Sequence, residues 1–274
     1  MGGKIIAVDL GGTNLRVSIV KNNKILKYVK KKTPENKEEI IEVLTETVKS
    51  LMSSDVKGIG VASPGPLKNG VIKETPNLNL RNFDLKGYLQ KKFRVRVEIE
   101  NDANCVAVAE SKLGCKKKNF FILTLGTGIG GGVIINGKLY TGGEGYGGEL
   151  GHIILDNGKN FEYLWQKTRK DCKKAFGKEL MIKELLLMKS KKAKNILNQS
   201  SEYLGMGIAS LINVFDPEVV ILSGGMRDTG NLFLVDIKNY VKKYLLIPSK
   251  AKIKWTGLNH PGSLGAALLI SEGV

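Results

Sequence analysis

Residues 120–137 read FFILTLGTGIGGGVIING, an apolar run, a turn with five glycines among the seven residues 126–132, and a second apolar run. That order predicts a strand, a glycine turn and a partner strand. Glycine this dense inside a folded core costs roughly 0.5 to 1 kcal/mol per site, so a purely structural role leaves much unexplained. Backbone N–H groups of Gly126, Thr127 and Gly128 approaching phosphate oxygens account for it better. A dinucleotide-binding turn opens a helix instead of a strand, and no GxxxxGK[ST] sequence occurs.

The same design stands at the other end of the chain. KIIAVD at 4–9 ends in Asp9, Gly11-Gly12 turns the chain into LRVSIV, and a further strand-like run at 24–29 completes an antiparallel meander. Asp9, Gly11, Gly12, Thr13 and Asn14 can hold phosphate, with Asp9 on a magnesium-bound water, or can form an ordinary tight hairpin. Two such hairpins, about half the chain apart, predict two related α/β lobes facing one cleft.

Between them, 35–51 has helical spacing through Ile40, Ile41, Leu44, Val48 and Leu51, and KGIGVAS at 57–63 returns as a buried strand, so this helix is a crossover. SPGP at 63–66 starts a short hairpin, followed by a helix from Asp84 to Lys92, a strand at 95–99 and a helix that opens with NDAN at 101–104. Past the central hairpin the pattern predicts helices near 160–173, 179–189 and 192–214. A strand at 218–223, a helix near 231–245 and a closing helix from Gly262 follow. The boundaries fall at 1–114, joined by 262–274, for a smaller lobe and 115–261 for a larger one.

The composition restricts the function classes. The 274 residues are 42% hydrophobic, enough for two compact lobes, and no run approaches the roughly 18 apolar residues of a membrane helix. Together with a start that runs straight into a strand pattern, this predicts a cytoplasmic protein. The three cysteines suggest free thiols, neither a disulfide framework nor a zinc cluster. The formal charge of +17, from 43 Lys and Arg against 26 Asp and Glu, is scattered along surface helices with few aromatics. That distribution predicts a basic solvated surface without a specific nucleic-acid or membrane partner.

Three further sites carry candidate chemistry. Asp102 in NDAN suits a base that takes a proton from an attacking hydroxyl, although on spacing alone a helix N-cap is the stronger reading. Glu149 and His152, three residues apart in a glycine-rich stretch, suit a polyhydroxylated ligand, against the structural role an isolated histidine often has. Gly224-Gly225 after EVVILS can pass close to an adenosine or can be an ordinary strand-to-helix turn.

Taken in order, DLGGTNLR (9–16), SPGP (63–66), NDANC (101–105), TLGTGIGGG (124–132), GGELGH (147–152), PEVVILSGG (217–225) and GSLGAALL (262–269) resemble the ROK family of sugar kinases and related repressors. The resemblance implies a two-lobed actin-like ATPase (ribonuclease H-like) fold with a central cleft. It implies an ATP-dependent kinase acting on the 6-hydroxyl of glucose or a related hexose, with ATP and Mg²⁺ as cofactors. An N-acetylhexosamine, N-acetylmannosamine especially, and a non-catalytic sugar-binding regulator are the alternatives.

By the same resemblance Asp102 is the general base, while Asn101, Glu149, His152, the Gly65 backbone and Asn77 contact the sugar. The two glycine hairpins hold the phosphates, Gly224-Gly225 lies at the nucleoside, and a homodimer or higher homo-oligomer is expected. Two departures stand out. The phosphate motif begins at residue 9, leaving no room for the repressors' N-terminal DNA-binding domain, and the family's CxCGxxGC zinc loop is replaced by HIILDNGKNFEYLWQK. No structural zinc is therefore expected, and across that gap Glu162 falls where the family has a sugar-binding glutamate.

Overall fold

The computed structural model describes residues 3–75 and 78–273, so Asn77 lies outside the described residues. The chain divides into two compact units. The first holds the described residues up to Lys116, Leu139–Gly148, and those from Leu258 onward; the second holds Lys117–Lys138 and Glu149–Gly257.

In the first unit, β1 (Lys4–Leu10), β2 (Asn14–Lys21) and β3 (Lys24–Lys32) form the meander. Ile6, Val8, Leu10, Leu15 and Val17 bury their side chains, whereas β3, at the sheet edge, carries lysines that blunt it against further pairing. Helix α1 (Lys37–Leu51) is capped by Asn36, whose side chain accepts the Glu39 N–H at 2.9 Å, and Glu38 and Glu39 complement its N-terminal dipole. It buries Ile40, Leu44, Val48 and Leu51 and crosses over to β4 (Val56–Ser63), which lies parallel to β1. Three two-residue strands follow as a small separate sheet: β5 (Leu67–Lys68), β6 (Val71–Ile72) and β7 (Phe83–Asp84). Helix α2 (Leu85–Phe93), β8 (Arg96–Asn101) and α3 (Asp102–Lys112) complete this run. The main sheet has the order β3-β2-β1-β4-β8, with β1, β4 and β8 mutually parallel.

The second unit begins with β9 (Phe120–Leu125) and β10 (Ile129–Ile135), and the unit boundary falls at the start of β11 (Lys138–Tyr140). A 3-10 turn at Leu150–His152 and a small ribbon of β12 (Ile154–Asp156) and β13 (Lys159–Asn160) precede three helices: α4 (Phe161–Phe176), α5 (Ile182–Leu187) and α6 (Lys191–Phe215). Then come β14 (Val219–Ser223), α7 (Gly230–Tyr244) and β15 (Lys252–Trp255), and the chain returns to the first unit as α8 (Pro261–Ser271). The sheet order β11-β10-β9-β14-β15 repeats that of the first unit: an antiparallel hairpin, then parallel neighbours on the far side of its first strand. Phe121, Leu123, Phe161, Leu204 and Phe233 stand in its core.

Three expectations change. Leu139–Gly148 belongs to the first unit, where Leu139 packs beside the cluster of Ala7, Val20 and Leu268, and this unit is the one with more residues. Residues 130–132 lie within β10, where Gly130, Gly131 and Gly132 pair with Thr124, Leu123 and Ile122, so the second glycine turn is only Gly126–Gly128. Helix α5 is shorter than the 179–189 span expected, since Met188 is already extended at its C-cap.

Candidate functional site

In the first unit the candidate residues gather at the carboxyl ends of three parallel strands, where open α/β sheets bind ligands. Asp9 lies near the end of β1, Gly65 just past β4, and Asn101 at the end of β8. Arg16, opposite Asp9 across the hairpin, donates from Nη1 to its Oδ2 at 3.2 Å. Burial raises the Asp9 carboxyl above its ordinary pKa, while the positive charges of Arg16 and His260 oppose that rise. The Gly11 N–H donates to the Asn14 carbonyl at 3.0 Å, and the Thr33 hydroxyl donates to the Gly11 carbonyl at 2.6 Å, leaving Gly12 and Thr13 exposed at the tip.

The head of α3 settles which residue caps it. Asn101 does so, its Oδ1 accepting the N–H groups of Ala103 at 2.9 Å and Asn104 at 3.2 Å. The capping reading of Asp102 is thereby corrected: Asp102 is the first helical residue, half-buried, with Oδ1 accepting the Ala103 N–H at 2.8 Å. The Asn101 amide also donates to the Gly65 carbonyl at 3.3 Å, which brings these two predicted residues together. Gly65 has φ +82°, and a Cβ there would collide with the Glu74 carbonyl, so no other residue fits.

In the second unit Glu149 precedes and His152 ends the 3-10 turn Leu150–His152, and Glu162 opens α4 just beyond the β12–β13 ribbon. The His152 N–H donates to the Glu149 carbonyl at 3.0 Å, closing the 3-10 turn, and the Asn160 amide lies 3.3 Å from His152 Nδ1. Glu149 is exposed as a residue, yet its carboxyl is partly desolvated, which raises its pKa; nearby His152 lowers it and Glu162 raises it further. Asn160, absent from the sequence-based set, caps α4 by accepting the Tyr163 N–H at 2.7 Å, and its place before FEYL is the signal that could have found it. Glu162, in the first turn of α4, accepts the Ile129 N–H at 2.7 Å.

Gly224 ends β14 at φ +100°, and a Cβ there would lie 2.4 Å from the Leu125 carbonyl, so the Gly224-Gly225 turn passes directly beside the start of the Gly126–Gly128 turn. Next to both lies a cavity of about 370 Å³, lined by Gly126, Thr127, Trp165, Arg169, Gly225 and Met226 among others, a volume suited to a small molecule. Trp165, which sequence reasoning missed because it reads as a core aromatic, closes one wall and donates from Nε1 to the Gly126 carbonyl at 3.0 Å. Among the described residues no group of three or more His, Cys, Asp or Glu could hold a metal ion, and no helix is long and apolar enough to cross a membrane.

Known proteins are similar to this chain in sequence and fold. The chain is 30% identical to a glucokinase of Thermotoga maritima over 98% of each protein. It is 33% identical to a xylose repressor of Bacillus spizizenii over 78% of this chain and 61% of the repressor. A ROK family glucokinase of Streptomyces griseus, solved with glucose and AMPPNP, superposes with a TM-score of 0.86 at 27% identity, covering 99% of this chain and all of that one. The sequence model of the ROK family matches from residue 5 to residue 272, and with that span this chain belongs to the ROK family.

Proposed function

We propose that this ATP-dependent sugar kinase transfers the γ-phosphate of ATP to the 6-hydroxyl of glucose or a closely related hexose. The observation that carries the reading is the head of α3: Asn101 does the capping, so the Asp102 carboxylate at the carboxyl end of β8 can act as a base. As the 6-hydroxyl oxygen bonds to the γ-phosphorus and the bond to the bridging oxygen of ADP breaks, Asp102 takes the hydroxyl proton. In the second unit Glu149, His152 and Glu162 suit sugar hydroxyls, since rigid carboxylate and imidazole partners distinguish one hydroxyl's position from another.

On this reading the Gly11–Asn14 turn of the first unit and the Gly126–Gly128 turn of the second each suit phosphate oxygens, and the second unit's cavity beside Gly225 and Trp165 suits a nucleoside. A magnesium ion, which neutralises phosphate charge when bound, would be held mainly by the phosphates, with Asp9, paired to Arg16, reaching it through water. The same reading places the enzyme in the cytoplasm as a homodimer or higher homo-oligomer.

The test is ADP release with Mg-ATP against glucose, mannose, fructose, N-acetylglucosamine and N-acetylmannosamine, repeated with Asp102→Ala. Turnover with a hexose is expected, falling by about 10²- to 10⁴-fold in Asp102→Ala while sugar affinity stays close to wild type. Wild-type turnover in that variant would overturn the base assignment. Silence across the panel with sugar still bound would favour a sugar-binding regulator.

A further inference from the structure

The carboxylate of Glu162 is committed to a backbone group outside its own helix. Oε2 accepts the N–H of Ile129, a residue 4% exposed at the foot of the Gly126–Gly128 turn, at 2.7 Å, and Oε1 receives the Gln166 amide at 3.3 Å. The preceding residue makes room for it: a Cβ on Gly128 would lie 2.1 Å from Oε2. One helical turn along α4, Trp165 donates to the Gly126 carbonyl at 3.0 Å. Residues i and i+3 of one helix face thus hold the two ends of the four-residue segment Gly126–Ile129.

The sugar-side turn packs on Ile129 as well: a Cβ on Gly151, between Glu149 and His152, would lie 2.2 Å from the Ile129 carbonyl, and the Glu162 charge also acts on the Glu149 carboxyl. A carboxylate offers about four lone-pair sites, so Glu162 can accept a ligand hydroxyl without giving up Ile129. A hydroxyl bound there restricts the carboxylate's rotation and stabilises the arrangement that satisfies the buried Ile129 N–H. If the carboxylate rotates away, that N–H loses its partner.

We propose that Glu162 is a positioning residue that links the sugar-side cluster to the phosphate-binding turn, so that sugar and nucleotide strengthen each other's binding through its carboxylate. The link rests on the sugar-kinase reading above; the holding of the turn does not. Because linkage is reciprocal, the factor by which sugar tightens nucleotide equals the factor by which nucleotide tightens sugar.

The test uses the full chain, with calorimetric titration of AMPPNP and of glucose, each alone and in the presence of the other, in wild type, Glu162→Gln and Glu162→Ala. Hydrogen exchange of the Ile129 amide is followed in parallel. In wild type each ligand should tighten the other by about 5-fold or more. Glu162→Gln keeps a carbonyl acceptor and should retain Ile129 protection and most of the nucleotide affinity. Glu162→Ala should lose that protection, weaken AMPPNP without sugar by about 10-fold, and bring the coupling factor to about one.

A Glu162→Ala protein that loses sugar affinity alone, with sugar-free AMPPNP affinity and Ile129 protection unchanged, would overturn the proposal. A wild-type protein that binds AMPPNP but none of the sugars in the activity panel would sink the sugar reading and the coupling together. The sugar-free effect of Glu162→Ala on AMPPNP would still show whether the carboxylate holds the turn.

Discussion

The two glycine hairpins look alike in sequence and are supported in different ways. The β1–β2 turn is held from within its own sheet: Gly11 bonds Asn14, Thr33 on the neighbouring segment bonds Gly11, and the charge it presents, Asp9, is balanced by Arg16 on the facing strand. The β9–β10 turn is shorter and carries no charged residue, and its two ends are tied to side chains of α4, more than thirty residues further along the chain. One hairpin is therefore fixed by local register, whereas the other depends on the docking of a helix.

The hardest blow to the second hairpin should come from Gly128→Ala, whose Cβ would meet the Glu162 carboxylate at 2.1 Å. A loss of about 100-fold in kcat/KM for ATP is expected, the scale of losing one preorganised donor to a developing charge, and steady-state kinetics measures it. Its counterpart Gly11→Ala places a Cβ 3.1 Å from the Asn14 carbonyl, a contact that a slight shift relieves, and should cost about 10-fold or less. Equal losses in the two variants would erase the contrast.

Trp165→Phe keeps the ring in the cavity wall but removes the bond to the Gly126 carbonyl. KM for ATP should rise several-fold with little change in kcat, since one net hydrogen bond is worth about 1 kcal/mol. In the first hairpin, Asp9→Asn gives a pH signature. The raised Asp9 pKa means that the folded state holds this proton more tightly than the unfolded chain does. The contribution of Asp9 to stability therefore falls as pH rises from the ordinary carboxylate range through the raised value, then levels off. Thermal unfolding of wild type against Asp9→Asn over mildly acidic to neutral pH should show their Tm difference changing across that window and flat above it. A difference constant with pH would mean that burial does not perturb this carboxyl.

The smallest effect belongs to Thr33→Val, which deletes the 2.6 Å bond to the Gly11 carbonyl. A loss of about 1 kcal/mol in stability is expected, read as a shift of a few degrees or less in Tm.

Most of the architecture was legible because the patterns are local. FFILTL coincides with β9, the 3.6-residue spacing of Ile40, Leu44, Val48 and Leu51 marks the buried face of α1, and the doubled strand–glycine–strand motif anticipated the matching sheet orders. Strand β15 was not legible: KIKW buries only Ile253 fully, and its pairing with β14 spans about thirty residues of intervening chain. The site divides in the same way. Motif residues were visible one by one, but Asn160 and Trp165 stood unremarked in the expected helix near 160–173 until the fold placed their polar atoms beside His152 and Gly126.

What the sequence determined by itself is therefore most of the long elements, the two glycine turns and the chemical types available at their ends, because periodicity and glycine placement act over a few neighbouring residues. The tertiary structure alone decided that Asn101 and not Asp102 caps α3, that Leu139–Gly148 joins the first unit, and that Glu162 reaches the Ile129 amide. Each of these depends on which donor meets which acceptor once distant segments pack, and no spacing along the chain encodes that choice.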